Sequence, residues 1–385
     1  MDSIYLDHNA TTPTRPEVVE AVVRCYREGY ANPASQHRLG QKAHRVLDEA
    51  RDTIGQILGA ETGTSQPDRV VFTSGGTEAN NLALLGLAMA GGRPEPAQLV
   101  ISAIEHPSVV GPAERLLDLG WRLDTLGVTS DGVVRADQLA GLLTPQTRVV
   151  SVMLGNHDTG VVQPVADLAA VCQQAAVPLH TDAVQVVGKR PVDFRALGVA
   201  AMTVAAHKFQ GPLGIGVLVL RAGVPLLPLC FGGHQQDGLR PGTESIALAV
   251  GMATALRLWQ QEQAASAGRM AALRDRFELG LRAGYPELIV NGATADRLPQ
   301  TSSVAFPGLD GQILLMALDT AGVACSVGAA CSSGSTELSP TLRAMGLPKP
   351  IVAGSLRFSL GATTTAAEID EAVGRILAVV HALHG

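Results

Sequence analysis

The sequence predicts an α/β protein, with a mostly parallel central sheet flanked by helices and a smaller α+β domain. Two observations predict it. From about residue 68 to 220, apolar runs of five to seven residues rich in Val, Ile and Leu alternate with amphipathic helical patterns. These runs are apolar at successive rather than alternate positions, as strands covered on both faces must be.

The strands are expected at 69–73, 98–102, 122–126, 148–153, 177–181, 201–205 and 214–220. Helices are expected between them at 77–89, 107–119 and 165–174. Two earlier helical patterns lie at 16–27 and 41–58, and a long one runs from 245 to 280. The segment from 285 onward has its own strand and helix patterns. We therefore expect a large domain over 15–257 and a small one formed by 1–14 with 258–385.

A chain of 385 residues is long enough for two such cores. Its net charge of -6 speaks against nucleic acid as a partner, because neutralising phosphates needs a basic surface. The most apolar stretch, 213–220, ends at Arg221, far short of a membrane span. The N-terminus enters structure at once without a basic or apolar leader, so a cytoplasmic protein is expected.

Ligands on an open parallel sheet sit beyond the carboxyl ends of its strands, so the residues following each strand carry the functional reading. After 69–73 come Ser74, Gly75, Gly76 and Thr77 at a helix start. Glycine lets the backbone approach a ligand, and the first helical N–H groups favour a phosphate; a threonine-capped turn would look the same. After 98–102 come Glu105 and His106, the latter a loop residue by default. After 177–181 comes Asp182, followed by Gln185. A buried aspartate needs a partner, either a protonated ring nitrogen or a helix N-terminus. After 201–205 come His207 and Lys208. Desolvation at that apolar edge favours a neutral amine able to form a Schiff base. Phosphate cradle, aspartate and lysine together are the groups that pyridoxal 5'-phosphate requires.

The five cysteines, Cys25, Cys172, Cys230, Cys325 and Cys331, show neither a disulfide framework nor a zinc spacing, and no metal site is expected. Cys331 stands in Ser326-Val-Gly-Ala-Ala-Cys-Ser-Ser-Gly-Ser335, a small-residue loop whose expected mobility and access suit a transferring thiol. Cys325 follows an apolar run and reads as more buried. Cys25 and Cys172 fall in helices and read as core.

The run Tyr5-Leu-Asp-His-Asn-Ala-Thr-Thr-Pro13, the Thr73–Asn81 turn, Glu105-His106, Asp182-Ala-Val-Gln185 and His207-Lys208 together resemble the cysteine desulfurases. These belong to the class V aminotransferase group of fold-type I pyridoxal-phosphate enzymes. The Cys331 loop is similar to the NifS/IscS-like branch. The resemblance implies that Lys208 holds the cofactor and shuttles protons, Asp182 pairs with its ring nitrogen, and His106 stacks on the ring. Gly76, Thr77 and His207 would contact the phosphate, and Gln185 the ring oxygen. Thr243 would reach the partner subunit's phosphate in a homodimer. Asn32 and Arg357 would hold the carboxylate of L-cysteine, Arg357 through its two-pronged guanidinium. Cys331 would take the sulfur, release L-alanine and pass the sulfur to an acceptor such as an iron–sulfur scaffold protein.

Two departures from the family pattern stand out: Ala205 where serine is frequent, and His157 where asparagine is frequent. Either His157 or Asn156 would then contact the ring oxygen. A selenocysteine lyase, another class V lyase or aminotransferase, and a degenerate cofactor-binding scaffold share most of these residues. Against the enzyme rivals stands the Cys331 loop alone; against the scaffold stand Lys208, Asp182, His106 and Cys331 together.

Overall fold

The computed structural model describes residues 3–90, 97–328 and 338–384. Val217, Leu218, Val219 and Leu220 are fully buried, as are Leu99, Val100, Val149 and Val150. Such side chains at every position build a sheet covered on both faces. Its seven strands lie in the order Arg69–Thr73, Gly216–Leu220, Ala201–Ala205, Leu179–Asp182, Thr147–Ser151, Gln98–Ser102 and Arg122–Leu126. Six run in one direction, and Gly216–Leu220 opposes both of its neighbours. Thr73 and Ala205 therefore both pair with Gly216, and the carboxyl ends of the six strands share one edge.

Helices Gly76–Ala88, Pro107–Asp118 and Val165–Gln174 cover the sheet. Pro16–Glu28 and Arg38–Ile57 pack on the long helix Ile246–Gly284. A second core gathers Leu6, Phe277, Phe306, Leu314, Phe358 and Ile376. Around it stand the antiparallel strands Ile289–Val290, Thr301–Ala305 and Ser355–Ser359, and the parallel pair Ile4–Tyr5 with Val323–Ala324. The 39-residue helix runs unbroken through positions 257 and 258, with Leu256 buried in the first core and Phe277 in the second. No helix among the described residues is long and apolar enough to cross a membrane.

Strand limits differ from expectation where local chemistry intervenes. Pro178 has no N–H for the ladder, and the strand starts at Leu179, so Asp182 is its last residue rather than the one after it. The strand expected to reach 153 stops at Ser151, because the Met153 N–H donates to the Glu105 carboxylate at 2.8 Å. Gly214 adopts φ +83°, which delays the last strand to Gly216.

Phe277 is fully buried, its ring 5.0 Å from that of Phe358, while Leu279 on the same helix is 68% exposed. Phe277→Ala should cost about 3–5 kcal/mol and Leu279→Ala less than about 0.5 kcal/mol, measured by chemical denaturation. Equal losses would contradict this second core.

Candidate active site

The shared strand edge gathers polar groups from successive strands. The turn after Arg69–Thr73 enters helix Gly76–Ala88 with no side chain capping its first turn. Ala79 is the first residue to donate back, to the Gly75 carbonyl, so the leading amides at Gly76 and Thr77 face outward, the arrangement that attracts an anion. A Cβ on Gly76 would sit 3.1 Å from Val184 Cγ2 and 3.5 Å from Ala205 Cβ, so glycine brings this helix start against the neighbouring strand ends. Glu78 accepts from the Ser74 N–H at 2.6 Å and from Arg240 Nε at 2.7 Å, which ties the turn to the Arg240–Glu244 segment.

Asp182 is buried at its strand end. Its Oδ1 accepts from the Val184 N–H at 2.9 Å and its Oδ2 from Asn80 Nδ2 at 2.7 Å. His106 caps helix Pro107–Asp118, with Nδ1 accepting the Ser108 N–H at 3.1 Å. The ring of His157 stands edge-on to it, centroids 5.4 Å apart and planes 81° apart. Burial, and then the neighbouring His106, Arg357 and Lys208, hold the His157 pKa well below the usual imidazole value, so the ring is neutral near pH 7. Its Nδ1 is buried without a hydrogen-bond partner among the described residues.

Lys208 follows strand Ala201–Ala205 in a short 3₁₀ turn, and its Nζ donates to the carbonyls of Asn9 at 2.5 Å and Ala10 at 2.8 Å. Gln185 Nε2 donates to the same Asn9 carbonyl at 3.0 Å. His207 Nδ1 lies 3.1 Å from Thr11 Oγ1; burial, and then Lys208 and Lys189, push its pKa down to about 4. Arg357 is 4% exposed, paired with Asp7 at 2.6 Å and donating to the His157 carbonyl at 3.1 Å.

Lys208, Gln185, His157, His106, Asp182 and Arg357 are thus linked by contacts within one region. Asn156 is buried in the adjoining loop: its Oδ1 accepts from the Asp158 and Thr159 N–H groups at 2.9 Å, and its Nδ2 donates to the Ile104 carbonyl at 3.1 Å. Asn32 and Thr243 are exposed, and among the described residues no hydrogen bond joins them to the cluster. Each adjoins residues lining one surface cleft, Pro33–Ser35 and Glu244. Cys331 lies outside the described residues. Burial, and then Asp7, push the Cys325 thiol up to about 12, and burial takes Cys172 to about 12, so both stay protonated.

Three residues that sequence reasoning did not single out hold this region together. Asn9 fell within the quoted N-terminal run, and Asn80 within the glycine turn; a polar residue on a buried helix face was the available signal for the second. Lys189 had none. It is 6% exposed, and its ammonium donates to the Lys208 carbonyl at 2.6 Å.

Burial, and then the Lys208 charge, push the Lys189 pKa from 10.5 down to about 8. Between these pH values the unfolded chain binds more protons, so the contribution of this position to stability rises with pH. The burial cost is present in full below pH 8 and vanishes above pH 10.5. The wild-type stability minus that of Lys189→Met should therefore grow by about 3 kcal/mol across this range in denaturation titrations. The same pH dependence in both proteins would contradict a buried ammonium.

The aminotransferase class-V family model matches residues 4–372. The cysteine desulfurase NifS of Azotobacter vinelandii is 37% identical over 380 residues, 99% of this chain and 93% of that protein. The IscS-like cysteine desulfurase of Mycobacterium tuberculosis is 40% identical over 375 residues, covering 96% and 94%. Among solved structures, a NifS-like protein superimposes with a TM-score of 0.90 at 32% identity, over 99% of this chain and 100% of that one. SspA in complex with cysteine gives 0.82 at 30% identity, over 94% and 100%. With nearly its whole length matched, the chain belongs to the class V aminotransferase family.

Proposed function

We propose that this chain is a pyridoxal-phosphate-dependent cysteine desulfurase that moves sulfur from L-cysteine onto Cys331 and releases L-alanine. One observation carries the reading: an uncapped helix start, a buried carboxylate and a lysine amine stand at one edge of six parallel strands. These residues suit the cofactor. The amides of Gly76 and Thr77 would take its phosphate with His207, and Asp182 its ring nitrogen. The Nδ1 of His157, without a partner among the described residues, and the amide of Gln185 would serve the ring oxygen. Asn156 is committed to its own loop, which leaves that contact to His157.

When bound, pyridoxal phosphate supplies an electron sink that makes the carbon–sulfur bond breakable. The amine of Lys208 would hold the cofactor and carry the substrate α-proton, while Arg357, helped by Asn32, grips the substrate carboxylate. The thiolate of Cys331 attacks the substrate sulfur; the electron pair of the broken bond stays with carbon, which takes up a proton and leaves as alanine. The sulfur remains as a persulfide on Cys331 and passes to an acceptor such as an iron–sulfur scaffold protein. The lobes 15–257 and 1–14 with 258–385 would frame this site. Thr243, exposed next to the cleft-lining Glu244, fits a homodimer in which it would reach the partner's phosphate. A cytoplasmic location fits this chemistry.

Purified protein given L-cysteine and a thiol reductant should be yellow and release sulfide and alanine in equal amounts. Cys331→Ser should keep the colour and lose at least about 10³-fold in sulfide release. Undiminished sulfide from that variant would overturn the nucleophile. A coloured wild type that acts on selenocysteine but not cysteine would overturn the substrate.

A further inference from the structure

His106 has two donors directed at one ring nitrogen. The Ser108 N–H lies 3.1 Å from Nδ1, and Ser108 Oγ lies 2.7 Å from the same atom. A backbone N–H only donates, so Nδ1 carries no proton here. The polarity of the hydroxyl is set from further away. Asn80 Nδ2 contacts both Ser108 Oγ at 2.8 Å and Asp182 Oδ2 at 2.7 Å. A carboxylate only accepts, so the side of the Asn80 amide facing Asp182 is its NH₂ group, and its second hydrogen goes to the Ser108 oxygen. With that oxygen accepting, the Ser108 hydrogen turns to Nδ1. The chain of donation runs outward from Asn80, one way to Asp182 and the other through Ser108 to His106.

Asn80 is 1% exposed and Ser108 7%, and they come from different helices, Gly76–Ala88 and Pro107–Asp118. Asn80 Oδ1 is buried with no hydrogen-bond partner among the described residues. A residue placed for packing alone would satisfy both ends of its amide; here the NH₂ end is satisfied twice and the oxygen not at all.

We propose that Asn80 and Ser108 are positioning residues that lock His106 into the tautomer protonated on Nε2. His106 then presents a hydrogen-bond donor at that nitrogen, and its ring orientation is tied to the carboxylate facing the cofactor nitrogen. This deepens the proposed function, resting on it for the placement of the cofactor between His106 and Asp182.

Long-range ¹H–¹⁵N spectra of the histidine-labelled holoenzyme read the tautomer directly, with the His106 signals assigned by their loss in His106→Gln. The wild type should show an unprotonated Nδ1 and a protonated Nε2. Ser108→Ala and Asn80→Ala leave the Ser108 N–H in place but remove the hydroxyl donor or its orientation. Both should therefore shift these signals part of the way toward the average of exchanging tautomers, and Ser108→Thr, which keeps the hydroxyl, should restore them. Alongside, Ser108→Ala should lower kcat for L-cysteine by up to about 10²-fold with little change in KM. A proton on Nδ1 in the wild type, or unchanged His106 signals in both alanine variants, would overturn the proposal. The wild-type tautomer decides the matter even if a variant fails to fold. A protein without cofactor colour or cysteine turnover would instead overturn the proposed function.

Discussion

The main-chain carbonyl of Asn9 is where the two lobes and the Lys208 amine meet. It accepts from Lys208 and Gln185, while the Asn9 side chain donates to Thr301 Oγ1 at 2.9 Å and its N–H donates to Ser359 Oγ at 2.8 Å. Lys208 and Gln185 follow strands of the large sheet; Thr301 and Ser359 belong to strands of the small one. A single residue in a turn therefore fixes how far the lysine stands from the small lobe. Moving Asn9 would displace the amine, the glutamine and the His157 loop together, since Asn9 Nδ2 also reaches the His157 carbonyl at 3.2 Å.

Around that point several basic side chains are crowded together. Lys208, Lys189, His207 and His157 lie close enough for each to be affected by another, and burial drives the imidazoles neutral. Arg357 is paired with the carboxylate of Asp7, and the buried Asp158 carboxylate also feels its charge. Fixed donors concentrated in a dry cleft raise affinity for anionic molecules, because solvent no longer screens them. An amino acid carrying a phosphate-bearing cofactor is the kind of ligand such a field attracts.

Much of this was legible in the chain because strand-end residues are set by local order: apolar run, then glycine, histidine, aspartate or lysine. The strands at 69–73, 98–102, 122–126 and 201–205 agree residue for residue. Boundaries failed where a proline, a left-handed glycine or a side chain took a ladder hydrogen bond, as at Pro178, Gly214 and Glu105. What local order does not carry is convergence across elements. Asn80 lies 102 positions from Asp182, and Asn9 lies 199 from Lys208. Lys189 looked like any surface lysine until the fold buried it. His37, rather than a usual capping residue, opens the second helix by accepting from the Gly40 N–H, which placed the start earlier than its apolar pattern suggests.

The 39-residue helix joining the two cores has a mechanical consequence. Between Leu256 and Met270 it buries no residue, and this bare stretch contains Ser266 and Gly268, the small residues at which helices bend most readily. The helix is thus rooted most deeply at its two ends, while its middle is held by partly buried Leu258 and Trp259 and by polar contacts of Glu262 and Arg269. At 1.5 Å per residue its far end lies about 24 Å beyond Gly268, so flexing by about 5° swings that end by about 2 Å. That displacement is comparable to the difference between a tight and a broken hydrogen bond. Arg357 stands on a strand of the second core, so curvature of this size in the helix would carry its guanidinium along with that lobe.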